Sequence, residues 1–293
     1  MRITLKQLAV FVAVARHGTV TRAAQELNLT QSAASMALSD FEGQLDCLLF
    51  DRIGKRLQLN DLGRKLLPQA INTVAHANEL EELARGHGDK VGSLKIGASL
   101  TIGNYSMPPL IATFMRQHPQ CQLSLEIANT SHIIAALEHF ELDVGFIEGF
   151  CHAPNLEVIP WQQDELVVFA APSHPLAQKM PLAETDFANA EWILRESGSG
   201  TREIFDNAII GRLPHIKVLL ELGHTEAIQR VVANGLGIGC ASRLSLSEAL
   251  ASKTLTILPT PFWNLSRQFF ILIHRQKYRT YGLERFIEHC VAV

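Results

Sequence analysis

Seventeen residues constrain this chain more than any others: Thr19–Ser35, reading T-V-T-R-A-A-Q-E-L-N-L-T-Q-S-A-A-S. They read as two short helices joined by a tight polar turn. Ala23, Ala24 and Leu27 make the apolar face of the first helix, and Ala33, Ala34 and Leu38 make the buried side of the second. Helices that cross this closely need small residues at the crossing. The second one also needs a polar, uncluttered start, which Thr30, Gln31 and Ser32 supply. The pattern predicts a helix-turn-helix and makes double-stranded DNA the first partner to consider.

The flanking sequence extends this module. Leu5, Leu8, Phe11, Val12 and Ala15 recur at helical spacing and predict a helix over 4–16, ended by Gly18, with Thr19 free to cap the next. A third helix is expected over 31–46. After it, L-F-D-R-I-G-K-R-L-Q-L-N at 49–60 sets two short β-like segments around Gly54. This is a hairpin wing with Arg52, Lys55 and Arg56 at or near its tip, within reach of a phosphate backbone or minor groove. Base contacts fall to Thr30, Gln31, Ser32 and Ser35, and backbone contacts to Thr21, Arg22, Arg52, Lys55 and Arg56. Ala34 lies among them and offers an apolar contact to a thymine methyl.

Charge supports the division. Residues 1–65 carry nine basic against six acidic groups, a net +3, while the rest carries 17 against 23, a net −6, within an overall −3. A basic head on an acidic body fits a DNA-reading module joined to a body with another role.

From Asp61 to Arg85, Leu66, Leu67, Ala70, Val74, Ala77, Leu80 and Leu83 form an apolar stripe on a long helix. Nothing in so small a head can cover it, so a second copy of the same helix is the expected partner. Pro68 sits near its start, and Gly86-His87-Gly88 reads as a hinge.

Beyond the hinge, strands alternate with helices of 10–15 residues, which predicts parallel sheet with helical crossovers in two α/β lobes. The 293-residue length suits two or three domains. The expected boundaries are 1–60 for the head, 61–88 for the linker helix and hinge, and 89–293 for the body. Its first lobe covers about 91–162 and 267–293, and its second about 163–266. No run of 18 apolar residues is present and the first residues lack a signal-peptide core, so a cytoplasmic protein with no membrane partner is expected. Five irregularly spaced cysteines argue against a disulfide framework or a metal site. Cys151 beside His152 has no second ligand pair at metal spacing.

Two segments of the body point to an anion. Ser99, Leu100 and Thr101 lie where a strand ends and a helix begins, so hydroxyls and free backbone N–H groups face outward together. The same arrangement recurs at Glu196–Arg202. There Gly198 and Gly200 let the backbone curl into a nest, Ser197, Ser199 and Thr201 add donors, and Arg202 adds charge. Asn129, Thr130 and Ser131 form a third entry of this kind. Glu148 follows a strand end and reads as a group that orients donors or excludes larger ligands. Serine and threonine at helix starts also serve simply as caps, an alternative that each segment alone leaves open. No nucleophile–base or paired-carboxylate spacing stands out, which sets an anion-processing enzyme aside; no catalytic residue, metal or cofactor is expected.

Together these residues resemble the LysR-type transcriptional regulators. The resemblance rests on L-K-Q-L-A-V-F at 5–11, T-R-A-A-Q-E-L-N-L-T-Q-S-A-A-S at 21–35, L-F-D-R at 49–52, V-G-S-L-K-I-G-A-S at 91–99, L-D-V-G-F-I at 142–147, P-L-A at 175–177 and G-L-G-I-G at 235–239. It implies a winged helix-turn-helix domain plus an α/β two-lobed periplasmic-binding-protein-like effector domain. It also implies a homodimer through the linker helix, a homotetramer of paired dimers, and a small effector between the lobes. Further pieces, among them S-L-T-I-G-N-Y at 99–105, F-I-E-G-F-C-H at 146–152 and W-I-L-R-E-S-G-S-G-T-R-E at 192–203, resemble the YeiE branch, which implies a sulfite-type oxyanion effector. Some resemble regulators of carbon-fixation genes, whose effectors are phosphorylated metabolites.

Overall fold

The computed structural model describes residues 2–54, 56–84, 91–213 and 215–292. Lys55 and the expected hinge at 86–88 lie outside the described residues. The chain falls into two compact units: residues up to Gly92 with Gln276–Ile287, and Ser93–Arg275 with the residues from Glu288 on. The segment Gln276–Ile287, expected with the first lobe, therefore belongs to the unit that holds the head and the long helix.

In the first unit, α1 (Leu5–His17) starts at a capping box. Thr4 Oγ1 accepts from Gln7 N and Gln7 Oε1 from Thr4 N, which satisfies two otherwise unpaired donors. Helices α2 (Val20–Glu26) and α3 (Gln31–Leu45) follow. Phe11 is fully buried at the crossing, its ring 5.5 Å from Phe41 and 5.6 Å from Phe50. Strands β1 (Phe50–Ile53) and β2 (Arg56–Leu59) pair antiparallel as the wing, and α4 (Asp61–Ala84) runs on from a cap at Asn60, whose side chain accepts from Gly63 N at 2.8 Å. Leu62, Leu80 and Leu83 of α4 stay exposed.

The second unit opens with β3 (Ser93–Ser99), a π-helical turn at Ile102–Ser106, α5 (Met107–Gln117), β4 (Gln122–Ala128), α6 (Thr130–Glu138) and β5 (Val144–Glu148). The long strand β6 (Leu156–Ala170) leads to β7 (Glu191–Arg195), α7 (Gly200–Ile209), β8 (Lys217–Leu222), α8 (Thr225–Ala233), β9 (Ile238–Ser242), α9 (Ser247–Ala251), β10 (Thr256–Leu258) and β11 (Ser266–His274). The last helix, α10 (Tyr281–Val291), starts in the first unit and ends in the second.

One nine-stranded sheet runs in the order β4-β3-β5-β11-β6-β9-β7-β8, with β10 on β6. The expected parallel pairing holds for β3 with β4 and β5, and for β7 with β8 and β9. The sheet is not parallel throughout, because β6 and β11 run antiparallel to their neighbours and join the two parallel sets. Of β6, only the five-residue apolar run Leu166–Ala170 reads as a strand from the sequence. After the buried Leu156, the strand's first half is part-buried or exposed and is interrupted by Pro160 and the polar run Gln162–Glu165. Among the described residues no helix is long and apolar enough to cross a membrane.

Candidate functional site

The described DNA-reading candidates all belong to the first unit, on or next to α2, α3 and the wing. Thr30 caps α3, accepting from Ala33 N at 3.2 Å. Gln31, Ser32 and Ser35 are exposed along the helix that follows, and Thr21 and Arg22 are exposed on α2. Arg52 and Arg56 are exposed on the wing, Arg56 paired with Ile53 beside the Gly54 turn. Ala34 is a correction: it is fully buried in the helix crossing, so it has no surface to offer a base. The apolar side chain that α3 does expose is Met36, at 63%.

The second unit brings Ser99, Thr101, Glu148 and Thr201 into one enclosed group, each at most 3% exposed. Strand ends place them: Ser99 ends β3, Glu148 ends β5, and Thr201 stands in the first turn of α7 after β7. Ser99 Oγ donates to Glu148 Oε2 at 2.6 Å, and Thr101 Oγ1 to Glu148 Oε1 at 3.2 Å. Arg267, from β11, lies at the centre with a fully buried guanidinium. It donates to Thr201 Oγ1 at 3.0 Å, to Thr101 Oγ1 at 3.2 Å and to Asp164 Oδ2 at 2.7 Å, and stands 3.9 Å from Glu148. Asp164 also accepts from Ser242 Oγ at 2.9 Å.

Sequence reading missed Arg267 and Asp164. A signal for Arg267 existed: in S-R-Q-F-F-I it shares a strand face with Phe269 and Ile271, both fully buried, and a charge at an apolar position of a strand marks a partnered or functional group. Asp164 had no such signal, because its strand was not legible.

The two lobes touch along the same line. Thr130 Oγ1 donates to Glu148 O at 2.9 Å and accepts from Gly200 N at 3.2 Å, and Ser131 N donates to Gly198 O at 3.1 Å. Asn129 Nδ2 reaches Glu196 Oε1 at 3.3 Å, and Tyr105 Oη donates to Glu226 Oε1 at 3.0 Å. Gly200 is required here: a Cβ on it would stand 1.9 Å from Glu148 O. Burial, reinforced by Glu226, pushes the Tyr105 phenol up to about 12.

The remaining candidates lie at the edge of this group. Ser197 and Ser131 are exposed, Leu100 is buried apolar packing, and Arg202 is engaged elsewhere. Its guanidinium binds Asp206 at 2.9 Å, Glu221 at 2.7 Å and Arg195 O at 3.0 Å, so two carboxylates hold it away from the enclosed hydroxyls. A cavity of about 440 Å³ opens between α6 and α7, lined by Ser131, Phe150, Gly198, Ser199 and Glu203. A wider depression of about 980 Å³ lies over the joining strands, with Asp164 and Arg267 in its lining. Among the described residues, Ser199 Oγ is buried without a hydrogen-bond partner, as is Arg195 Nη1. An orphaned buried hydroxyl at a helix start is a donor in want of an acceptor.

Two family models match the chain, one on each side of the long helix. The family model for the bacterial regulatory helix-turn-helix protein of the lysR family matches residues 5–64, and that for the LysR substrate binding domain matches 87–293. The chain belongs to the LysR family. As a LysR-family protein it is a DNA-binding transcriptional regulator with an effector-binding domain, not an enzyme. It is 45% identical over 290 residues to the uncharacterized HTH-type transcriptional regulator YeiE of Escherichia coli, covering 99% of this chain and 98% of that one. It is 30% identical over 262 residues to the HTH-type transcriptional regulator CysL of Bacillus subtilis, covering 89% and 88%. A full-length OxyR variant from Pseudomonas aeruginosa shares the fold at TM-score 0.79 and 24% identity, over 100% of this chain and 94% of that one. The CcmR regulatory domain of Synechocystis in complex with 2-PG matches at TM-score 0.64 and 29% identity, over 69% of this chain and 96% of that one.

Proposed function

We propose that this LysR-family regulator reads a small oxyanion, sulfite-like in size and charge, in the enclosed group between its lobes, and that occupancy changes its binding to promoter DNA. The observation that carries the reading is the buried Arg267, which donates to threonine hydroxyls from both lobes while Ser99 and Thr101 donate to a carboxylate. Hydroxyls and a guanidinium converging on oxygen acceptors in a dry site suit an oxyanion. The orphaned hydroxyl of Ser199 adds a donor beside them. Two carboxylates, Glu148 and Asp164, already face the one guanidinium. An added anion must therefore donate a hydrogen bond to Glu148 or displace that side chain, which favours an oxyanion that carries a hydroxyl over fully ionised sulfate.

A second reading, a phosphorylated or carboxylate metabolite, is favoured by the 440 Å³ cavity beside the enclosed group, which has room for a larger ligand. The likeness to a regulatory domain holding 2-PG points the same way. In either case α3 reads the major groove through Thr30, Gln31, Ser32 and Ser35, with Arg52, Lys55, Arg56, Thr21 and Arg22 on the backbone. The exposed leucines of α4 pair two copies, and two such dimers make the tetramer.

Titration calorimetry of the full chain against sulfite, sulfate, phosphate, phosphoglycerate and acetate, repeated with Thr101→Ala and Thr201→Ala, tests the site. Saturable binding of one oxyanion, weakened by both substitutions, is the expected result. Absence of binding by any of these ligands would sink the oxyanion reading.

A further inference from the structure

Met36 is the large apolar side chain that α3 leaves in solvent, 63% exposed. It shares one helical face with Ser32, Ser35 and Ser39, the positions i, i+3, i+4 and i+7, and all four are exposed. Its three companions are serines, so the methionine projects furthest from the helix axis. The hydroxyls of Thr30 and Ser32 stand 3.1 Å apart and engage each other. Ala34 and Leu38, on the other side of the helix, are buried in the crossing.

α3 carries no cation. Between Gln31 and Leu45 there is no lysine, arginine or histidine, and its charged residues are Asp40 and Glu42. Glu42 is turned to accept from Leu49 N at 2.7 Å. Such a helix has no guanidinium or ammonium with which to hold guanine, the commonest base-specific contact. Phosphate charge falls to Arg22 on α2 and to Arg52 and Arg56 on the wing. A single exposed apolar residue is ordinary on most surfaces. Met36 differs in its place, among the polar groups of the DNA-reading face. Its side chain is unbranched and polarizable, so it conforms to an irregular surface. The apolar group that base pairs present in the major groove is the C5-methyl of thymine.

We infer that Met36 is a specificity-determining residue that packs on a thymine C5-methyl in the major groove, so each operator half-site carries a thymine recognised by its methyl group under the middle of α3. This rests on the reading of α3 as the helix in the groove and goes beyond it. Thr30, Gln31, Ser32 and Ser35 read hydrogen-bonding edges, which thymine and uracil share, and Met36 reads the one group that separates them. The contact is uncharged and releases no counterions, so it adds selectivity without adding to the salt dependence that the arginines set.

The test is a cycle between protein and DNA. The full chain selects its sites from randomised duplex DNA, and each thymine of the selected half-site is then replaced by uracil, which deletes the methyl and keeps the pairing edges. Uracil at one position is expected to weaken binding about three- to fivefold, the effect of one buried methyl. With Met36→Ala that penalty should vanish while the salt slope stays that of the native chain. Thermal unfolding reports an intact head; should Met36→Ala lower it, Met36→Gln, of similar length but polar, carries the same measurement. A scan with no uracil-sensitive position would overturn the inference. So would a penalty that survives the substitution, the result expected if Met36 seats another protein chain instead of DNA. Gln31→Ala keeps two failures apart. If it relaxes base discrimination while the uracil scan is flat, the methyl contact alone is wrong. If neither substitution alters the selected sequence, the reading of α3 as the groove helix fails with it.

Discussion

Arg267 and Thr201 lie 66 positions apart and meet at 3.0 Å, tying the joining strand β11 to the first turn of α7. The same guanidinium neutralises Asp164 and faces Glu148, whose side chains are 3% and 1% exposed. Removing it as Arg267→Met strands two buried carboxylates without a counter-charge. The expected loss is about 3–5 kcal/mol in the unfolding of the second unit, since a broken buried pair leaves its desolvation cost uncompensated. Urea unfolding, followed by probes that separate the two units, measures it; a loss under about 1 kcal/mol would mean the pair is solvated in solution.

Two glycines should respond oppositely to the same change. Gly200→Ala drives a methyl against Glu148 O, 1.9 Å away in rigid backbone, and should cost about 1–3 kcal/mol while raising exchange at Thr130 and Glu148. Gly43→Ala, on the exposed face of α3 with nothing within 4 Å, should stabilise the head by about 0.5–1 kcal/mol through helix propensity. Thermal unfolding of both variants settles the pair of signs.

Acid should loosen the contact between Asn129 and Glu196. Burial raises the Glu196 carboxyl, but hydrogen bonds and charge from Arg195, with help from Asn129, outweigh it and hold the group below its usual 4.5. A carboxyl depressed on folding stabilises above its unfolded pKa and loses that contribution as pH falls through the folded value. The stability gap between the native chain and Glu196→Gln should therefore be full well above the usual 4.5 and shrink progressively as pH falls below it through the depressed folded value. A gap that is independent of pH would contradict the assignment.

On DNA, Gln31→Ala should relax discrimination at one base position by about 1–3 kcal/mol. Arg52→Ala should instead weaken all sequences alike and lower the salt slope by about 1. Anisotropy titrations at several salt concentrations distinguish these. Equal behaviour of the two variants would overturn the division between base and backbone contacts.

The thiols of Cys240 and Cys290 are pushed up to about 12 by burial. Neither should alkylate with iodoacetamide at neutral pH in the native protein, and both should react once it is unfolded, because the thiolate is the nucleophile. Fast native labelling at either position, read by mass spectrometry, would show that its burial is not maintained in solution.

The head was written locally. The alanines of the helix crossing, the Thr30 cap and the glycine-centred wing each follow from contacts a few residues apart, so periodicity and turn chemistry were enough to place them. The strand-end hydroxyls of Ser99, Thr101 and Thr201 were legible for the same reason. What those hydroxyls face was not. Glu148 takes the donors of Ser99 and Thr101, Arg202 is drawn off by Asp206 and Glu221, and Arg267 arrives from a strand far along the chain. Nor could periodicity find the first half of β6, where polar residues and Pro160 hide a strand held by its neighbours' hydrogen bonds. Sequence patterns record local propensity and burial, and these determined the elements and the family. Which charge meets which depends on strand order and on the desolvation that packing imposes, and only the tertiary structure decided it.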